Sequence, residues 1–114
     1  MAFQRFTESG RSFKARISIR KNGQIGFSNG AVKKFGLQKF SHVVLFYDAD
    51  KKRIGIKPTN DSEEEGAYKL NIKETGASVA GLAFIDYFDI PHENTQKYEA
   101  KWDDESQMII VDLT

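Results

Sequence analysis

The sequence predicts an α+β fold, β-rich and built as a tandem repeat of strand-strand-helix-strand-strand units sharing one core. Three observations predict it. Strict hydrophobic alternation of period two recurs on both sides of a polar joint. Each half carries one helix signal between strand signals. With 114 residues in all, neither half is long enough to bury a comfortable core by itself.

The first strand is "FKARISI", where Phe13, Ala15, Ile17 and Ile19 alternate with Lys14, Arg16, Ser18 and Arg20, the pattern of a half-buried strand. Asn22-Gly23 follows and predicts a two-residue hairpin turn, because primed turns need positive φ at both central residues. Ile25 and Phe27 then alternate in a second short strand. Ser28 or Asn29 caps a helix over "AVKKF", and Gly36 supplies its left-handed stop. "VVLFYDADKKRIGIKP" reads as strand, acidic turn, strand, with Val43, Leu45 and Tyr47 inward and Val44 and Phe46 outward.

"PTNDSEEEGAY" is too polar for a core element and marks the joint. Beyond it, "AYKLNIK" alternates Tyr68, Leu70 and Ile72 with Lys69, Asn71 and Lys73. Ser78 is the expected cap of a helix over "VAGLAFIDYFDI", which Pro91 terminates. That segment is apolar on most sides, so it is expected between a sheet and a second surface, such as another subunit. "YEAKWDDESQMIIVDL" closes the chain as a second hairpin, with Glu99 and Lys101 outward. An offset of 53 pairs Ile17 with Leu70, Gly23 with Gly76 and Phe35 with Phe88, and an offset of 55 pairs Tyr47 with Trp102 and Ile54 with Ile109. The organisation expected is a flexible arm over residues 1–11 and a single domain over 12–114. Within it a basic repeat, 12–58, and an acidic repeat, 67–114, are joined by a linker, 59–66.

The charge is divided along the same joint. Residues 1–58 hold 13 Lys and Arg against 3 Asp and Glu, and residues 59–114 hold 4 against 13, so halves of +10 and −9 make up the net +1. Two explanations follow: complementary halves that attract each other within the fold or between subunits, or a basic half that faces a polyanion. For the second, Lys14, Arg16 and Arg20 share one strand face and Lys21 extends it into the turn. Lys33 and Lys34 on the helix, and Lys51, Lys52 and Arg53 in the hairpin turn, supply further phosphate contacts, which position a nucleic acid without reading its sequence. Val44, Phe46, Phe84 and Phe88 are the candidate oligomer interface.

Other chemistries find little. "NGQIGFSNGAVKK" contains neither GxxxxGK[ST] nor GxGxxG, so it is no phosphate loop. There is no cysteine for a disulfide or thiolate metal site. His42 and His92 have no carboxylates patterned around them, and "DADKK" and "DDES" lack the calcium-loop spacing. The expectation is a protein without catalytic residues, metal or cofactor, not an enzyme. No signal-peptide core and no membrane-length apolar run occurs, and a cytoplasmic location is expected.

"RKNGQIGFSNGAVKKFGL" followed by "HVVLFYDADKKRIGIKP" resembles the AbrB-type swapped-hairpin module of prokaryotic transcriptional regulators. That module runs strand, Gly-Arg-Ile-x-Ile-Pro, short basic helix, Leu-Gly-Leu and a final hairpin. The counterparts are Gly23 to Ser28, Lys33-Lys34, Phe35-Gly36-Leu37 and the hairpin to Pro58, over about residues 13–58. Gln24 stands where the family usually has arginine, Ser28 replaces the proline, and Phe40-Ser41 occupy the place of a Gly-Asp turn. With both repeats, the chain resembles the two-copy arrangement of the MraZ proteins. At the level of architecture it is also similar to the Whirly-like single-stranded-DNA-binding fold. The resemblance implies a homodimeric DNA-binding regulator. The competing class is a non-catalytic interaction or assembly module whose basic and acidic faces pair between subunits.

Overall fold

The structure, a computed structural model, describes residues 15–114. The arm expected over residues 1–11, with Phe13 and Lys14, lies outside the described residues. The fold is a β-rich α+β arrangement with nine strands and two helices among the described residues. The strands are β1 (Arg16–Ile19), β2 (Gln24–Ser28), β3 (His42–Asp48), β4 (Arg53–Thr59), β5 (Ala67–Lys69), β6 (Asn71–Lys73), β7 (Gly76–Ala80), β8 (Gln96–Asp103) and β9 (Met108–Asp112). Helix α1 spans Asn29–Phe35 and α2 spans Leu82–Tyr87.

The strand order is β5-β3-β4-β9-β8-β1-β2-β7-β6, every pairing antiparallel. Its two outermost strands, β5 and β6, are separated in the chain by Leu70 alone. The two edges of the sheet therefore meet at Leu70, whose N–H donates to the Ser41 carbonyl (2.9 Å). The sheet curls around one core in which Ile17, Ile19, Ile25, Val43, Ile54, Ile56, Val79, Ile109 and Val111 are fully buried. Both halves of the sequence contribute to that core. Branched side chains on the inner face of a pleated sheet bury large apolar area with little loss of rotamer freedom.

Several local expectations agree with the structure. Ser28 caps α1, its Oγ accepting from the Ala31 N–H at 3.1 Å. Gly36 ends α1 in the left-handed region, φ 62°. Both acidic turns close hairpins: Asp48 Oδ1 accepts from the N–H of Asp50 (3.0 Å) and Lys51 (3.2 Å), and Asp103 accepts from Ser106.

Three local expectations are corrected. The β1–β2 loop has three residues: Arg20 N–H donates to the Gln24 carbonyl and Gly23 N–H to the Arg20 carbonyl, both at 2.9 Å. Gly23 alone takes positive φ, 86°, and Asn22 instead accepts from the Gln24 N–H through its side chain. Ser78 belongs to β7, whose alternation of buried Ala77 and Val79 pairs with β2, so α2 begins only after Gly81. "AYKLNIK" is broken at Leu70 because its two ends join opposite edges of the sheet. Pro58 lies inside β4 opposite Val43. β9 pairs only with residues 53–56 of β4, so the missing N–H of Pro58 interrupts no ladder.

Candidate nucleic-acid interface

Residues directly opposite one another in a sheet share a face, and alternate residues take opposite faces. In β1, β2 and β7 the buried set is Ile17, Ile19, Ile25, Phe27, Ala77 and Val79. The outer face therefore consists of Arg16, Ser18 and Arg20, then Gln24, Gly26 and Ser28, then Gly76, Ser78 and Ala80. Asn71 and Lys73 of β6 complete it opposite Ser78 and Gly76. No carboxylate occurs among these eleven positions. Three cations stand around a centre of small polar residues.

Arg20 is held in place on this face. Its Nη1 donates to Gln24 Oε1 at 2.9 Å, and the guanidinium lies flat over Gly26: a Cβ there would stand 2.6 Å from Nη2 and 2.9 Å from Cζ. Among the described residues no carboxylate comes within ion-pair distance of Arg16 or Arg20, where the ion pairs are Arg53–Asp112, Lys57–Glu64 and His92–Asp86. Glu99 faces Arg16 across the β1–β8 ladder and is the first carboxylate beyond the cationic face.

The other predicted cations do not join this cluster. Lys21 is exposed in the β1–β2 loop, where its N–H donates to Thr95 Oγ1 (3.2 Å). Lys33 and Lys34 occupy the last turn of α1, favourably placed for its carbonyl end. Lys51 and Lys52 are exposed at the β3–β4 tip, and Arg53 pairs with Asp112 at 3.6 Å.

The outer face of β3, β4, β9 and β8 has a different character. Phe46, Gly55 and Ile110 form an apolar row, with Met108 lying over Gly55. A groove of about 920 Å3 there is bordered by four cations and by four carboxylates, those of Asp48, Glu99, Asp103 and Asp112. Asp103 and Asp112 are both held below the usual carboxylate range, chiefly by hydrogen bonds from the Ser106 and Thr114 hydroxyls. Phe46 is 44% exposed, whereas Val44, two residues earlier on the same face, is buried where it pairs with Ala67 of β5. Of the other two candidate interface residues, Phe84 is buried inside the chain, and Phe88 remains 38% exposed in contact with the rings of Tyr47, Phe84 and Tyr87.

No family model, curated protein or solved structure matches the chain. Among the described residues no group of three His, Asp or Glu is placed to hold a metal ion. No helix there is long and apolar enough to cross a membrane.

Sequence reasoning missed Lys73. It sits in the half whose net charge is negative, with Glu74 beside it, so its sign was outweighed in the sum. Its alternation with Ile72 put it on the outward face of its strand, and the offset of 53 makes it the counterpart of Arg20. Either signal points to it.

Proposed function

We propose that this chain binds DNA through the outer face of β1, β2, β7 and β6, with Arg16, Arg20 and Lys73 as the phosphate-contacting cations. One observation carries this function: eleven contiguous outward positions on four strands hold three cations and no carboxylate, in a protein whose net charge is only +1. A one-sign face of this kind attracts a polyanion, and its cations displace counterions condensed on the nucleic acid. Four residues of strand separate Arg16 from Arg20, about 13 Å at ~3.3 Å each. Three strand spacings separate Arg16 from Lys73, about 14 Å at ~4.8 Å each. Cations so spaced reach phosphates on both sides of a groove about 12 Å wide.

A tandem, AbrB-like organisation accompanies this function and is supported by the pairing registers. β2 and β7 pair about Gly26 and Ser78, and β4 and β9 about Gly55 and Ile110, each strand meeting its counterpart from the other half. Left-handed backbone recurs at the same offsets, at Gly36 (φ 62°) and Asp89 (φ 54°), and at Lys52 (φ 54°) and Gln107 (φ 56°). Gln24, in place of the family's arginine, anchors Arg20.

Fluorescence-anisotropy titration of single- and double-stranded oligonucleotides at low salt tests the function. Binding that the Arg16→Glu, Arg20→Glu double variant abolishes supports it. Unchanged binding in that variant, or none in the native chain, rejects it.

A second function has its own observation. The half-exposed Phe46 stands in a groove whose rim carries both charges in equal number, a self-complementary pattern suited to a homodimer. Oligomer mass that falls with salt and with Phe46→Ser supports assembly through that face.

A further inference from the structure

Within the cationic face lies a small polar depression of about 190 Å3, lined by Arg20, Gln24, Lys73, Thr75, Ser78 and the backbone around Gly76. It has room for about six water molecules at ~30 Å3 each. Unlike the mixed-charge groove on the other half-sheet, it has no carboxylate in its wall among the described residues; Glu74, next to Lys73 in the β6–β7 turn, does not line it.

We propose that this depression is an oxyanion seat that takes one phosphate group, clasped between Arg20 of the basic half and Lys73 of the acidic half. Gln24 engages one nitrogen of the Arg20 guanidinium and leaves Nη2 and Nε to donate elsewhere. The Lys73 ammonium and the Thr75 and Ser78 hydroxyls have no protein partner among the described residues and add donors around the same space. Charged donors from two sides, with hydroxyls between, match the charge and acceptor geometry of a tetrahedral oxyanion. Gly26 gives the seat its shape, because its missing side chain lets the guanidinium lie against the sheet. The acidic half thereby contributes a cation to the binding face. The seat rests on the proposed DNA-binding function only for the source of its phosphate, a nucleic-acid backbone or a free phosphoanion.

The test is carried out on the full chain by following backbone amide shifts on addition of inorganic phosphate, with chloride at matched ionic strength as control. An oligonucleotide forms a third arm. Saturable shifts at Thr75, Gly76 and Ser78 with phosphate and not chloride are expected. Gly26→Ala keeps every charge but displaces the Arg20 tip. It and Lys73→Gln are each expected to weaken phosphate binding at least about threefold, with Lys73→Arg restoring it. If the phosphate is that of DNA, Lys73→Gln also lowers the slope of log affinity against log salt by about 0.7–0.9, one phosphate contact. Saturation by phosphate without oligonucleotide binding keeps the seat and rejects the DNA function. Oligonucleotide binding that Gly26→Ala leaves unchanged and Arg16→Glu with Arg20→Glu abolishes, without phosphate-specific shifts, keeps the DNA function and overturns the seat. Unchanged thermal unfolding of both variants establishes that the loss is local.

Discussion

The Phe35 ring at the end of α1 packs against Trp102 of β8, ring centroids 6.3 Å apart, so the helix of the basic half rests on the hairpin of the acidic half. Phe88, just after α2, meets Tyr47 of β3 at 5.1 Å. Each helix end thus leans on the hairpin of the opposite half, and neither half completes its packing without the other. A double-mutant cycle of Phe35→Leu with Trp102→Leu is expected to give a coupling of about 0.5–1.5 kcal/mol in chemical denaturation, the usual worth of an aromatic pair beyond its buried area. A coupling indistinguishable from zero contradicts the exchanged packing.

Gly76 opens β7 at φ 149°, and a Cβ built there falls 2.2 Å from the Phe27 carbonyl oxygen. A backbone atom cannot give way as a side-chain tip can. Gly76→Ala is therefore expected to cost about 2 kcal/mol or more, from positive-φ strain and the clash together. Gly36→Ala, at φ 62° with its nearest neighbour 4.0 Å away, carries only the conformational cost of about 1–2 kcal/mol. Urea midpoints of the two variants check the order.

Much of the fold was legible because hydrophobic alternation survives burial on one face of a sheet. The strands at Ile17, Ile25, Val43, Ile54 and Ile109 could be read that way, as could the Ser28 cap and the Gly36 stop. The β7–α2 boundary could not. "ASVAGLAF" is apolar in both periods, and only the long-range ladder to β2 decides that Ser78 is in a strand. The break at Leu70 was equally hidden, since nothing local shows that residues 67–69 and 71–73 join opposite sheet edges. Of the site, Arg16 and Arg20 were legible from their alternation. Their separation from Lys33 and from the β3–β4 tip depends on which strands neighbour which, information that no short window contains.

Asp103 gives a pH dependence of definite sign. The Ser106 hydroxyl hydrogen bond, against some opposing desolvation, holds its carboxyl below the usual carboxylate range, with the Ser106 and Glu105 amides assisting. The folded state then binds its proton less readily than the unfolded chain, whose Asp titrates near ~3.9. Its contribution to stability is complete above that pH and is lost as pH falls through the folded value. Ser106→Ala is expected to move the Asp103 midpoint upward toward the ordinary value in an NMR titration. An unmoved midpoint assigns the depression to another cause.

Glu99 borders the cationic face opposite Arg16. Removing its charge leaves the field of that face unopposed on one side. Glu99→Gln is expected to raise oligonucleotide affinity at low salt by roughly two- to fivefold, about 0.5–1 kcal/mol for a unit charge near the ligand in solvent. The gain should fade as salt shortens the screening length. Anisotropy at two salt concentrations measures both.

The proposed DNA binding requires a polyanion to dock on the β1-β2-β7-β6 face and not merely on any cluster of lysines. Its most direct measurement is the slope of log affinity against log salt for one oligonucleotide, compared among the native chain, Arg16→Glu with Arg20→Glu, and Lys51→Glu with Lys52→Glu. Each pair makes the same charge change. The predicted result is a collapse of affinity and slope in the first pair, with the native slope largely kept in the second. Equal losses in both pairs, or a loss confined to the hairpin-tip pair, would contradict the claim.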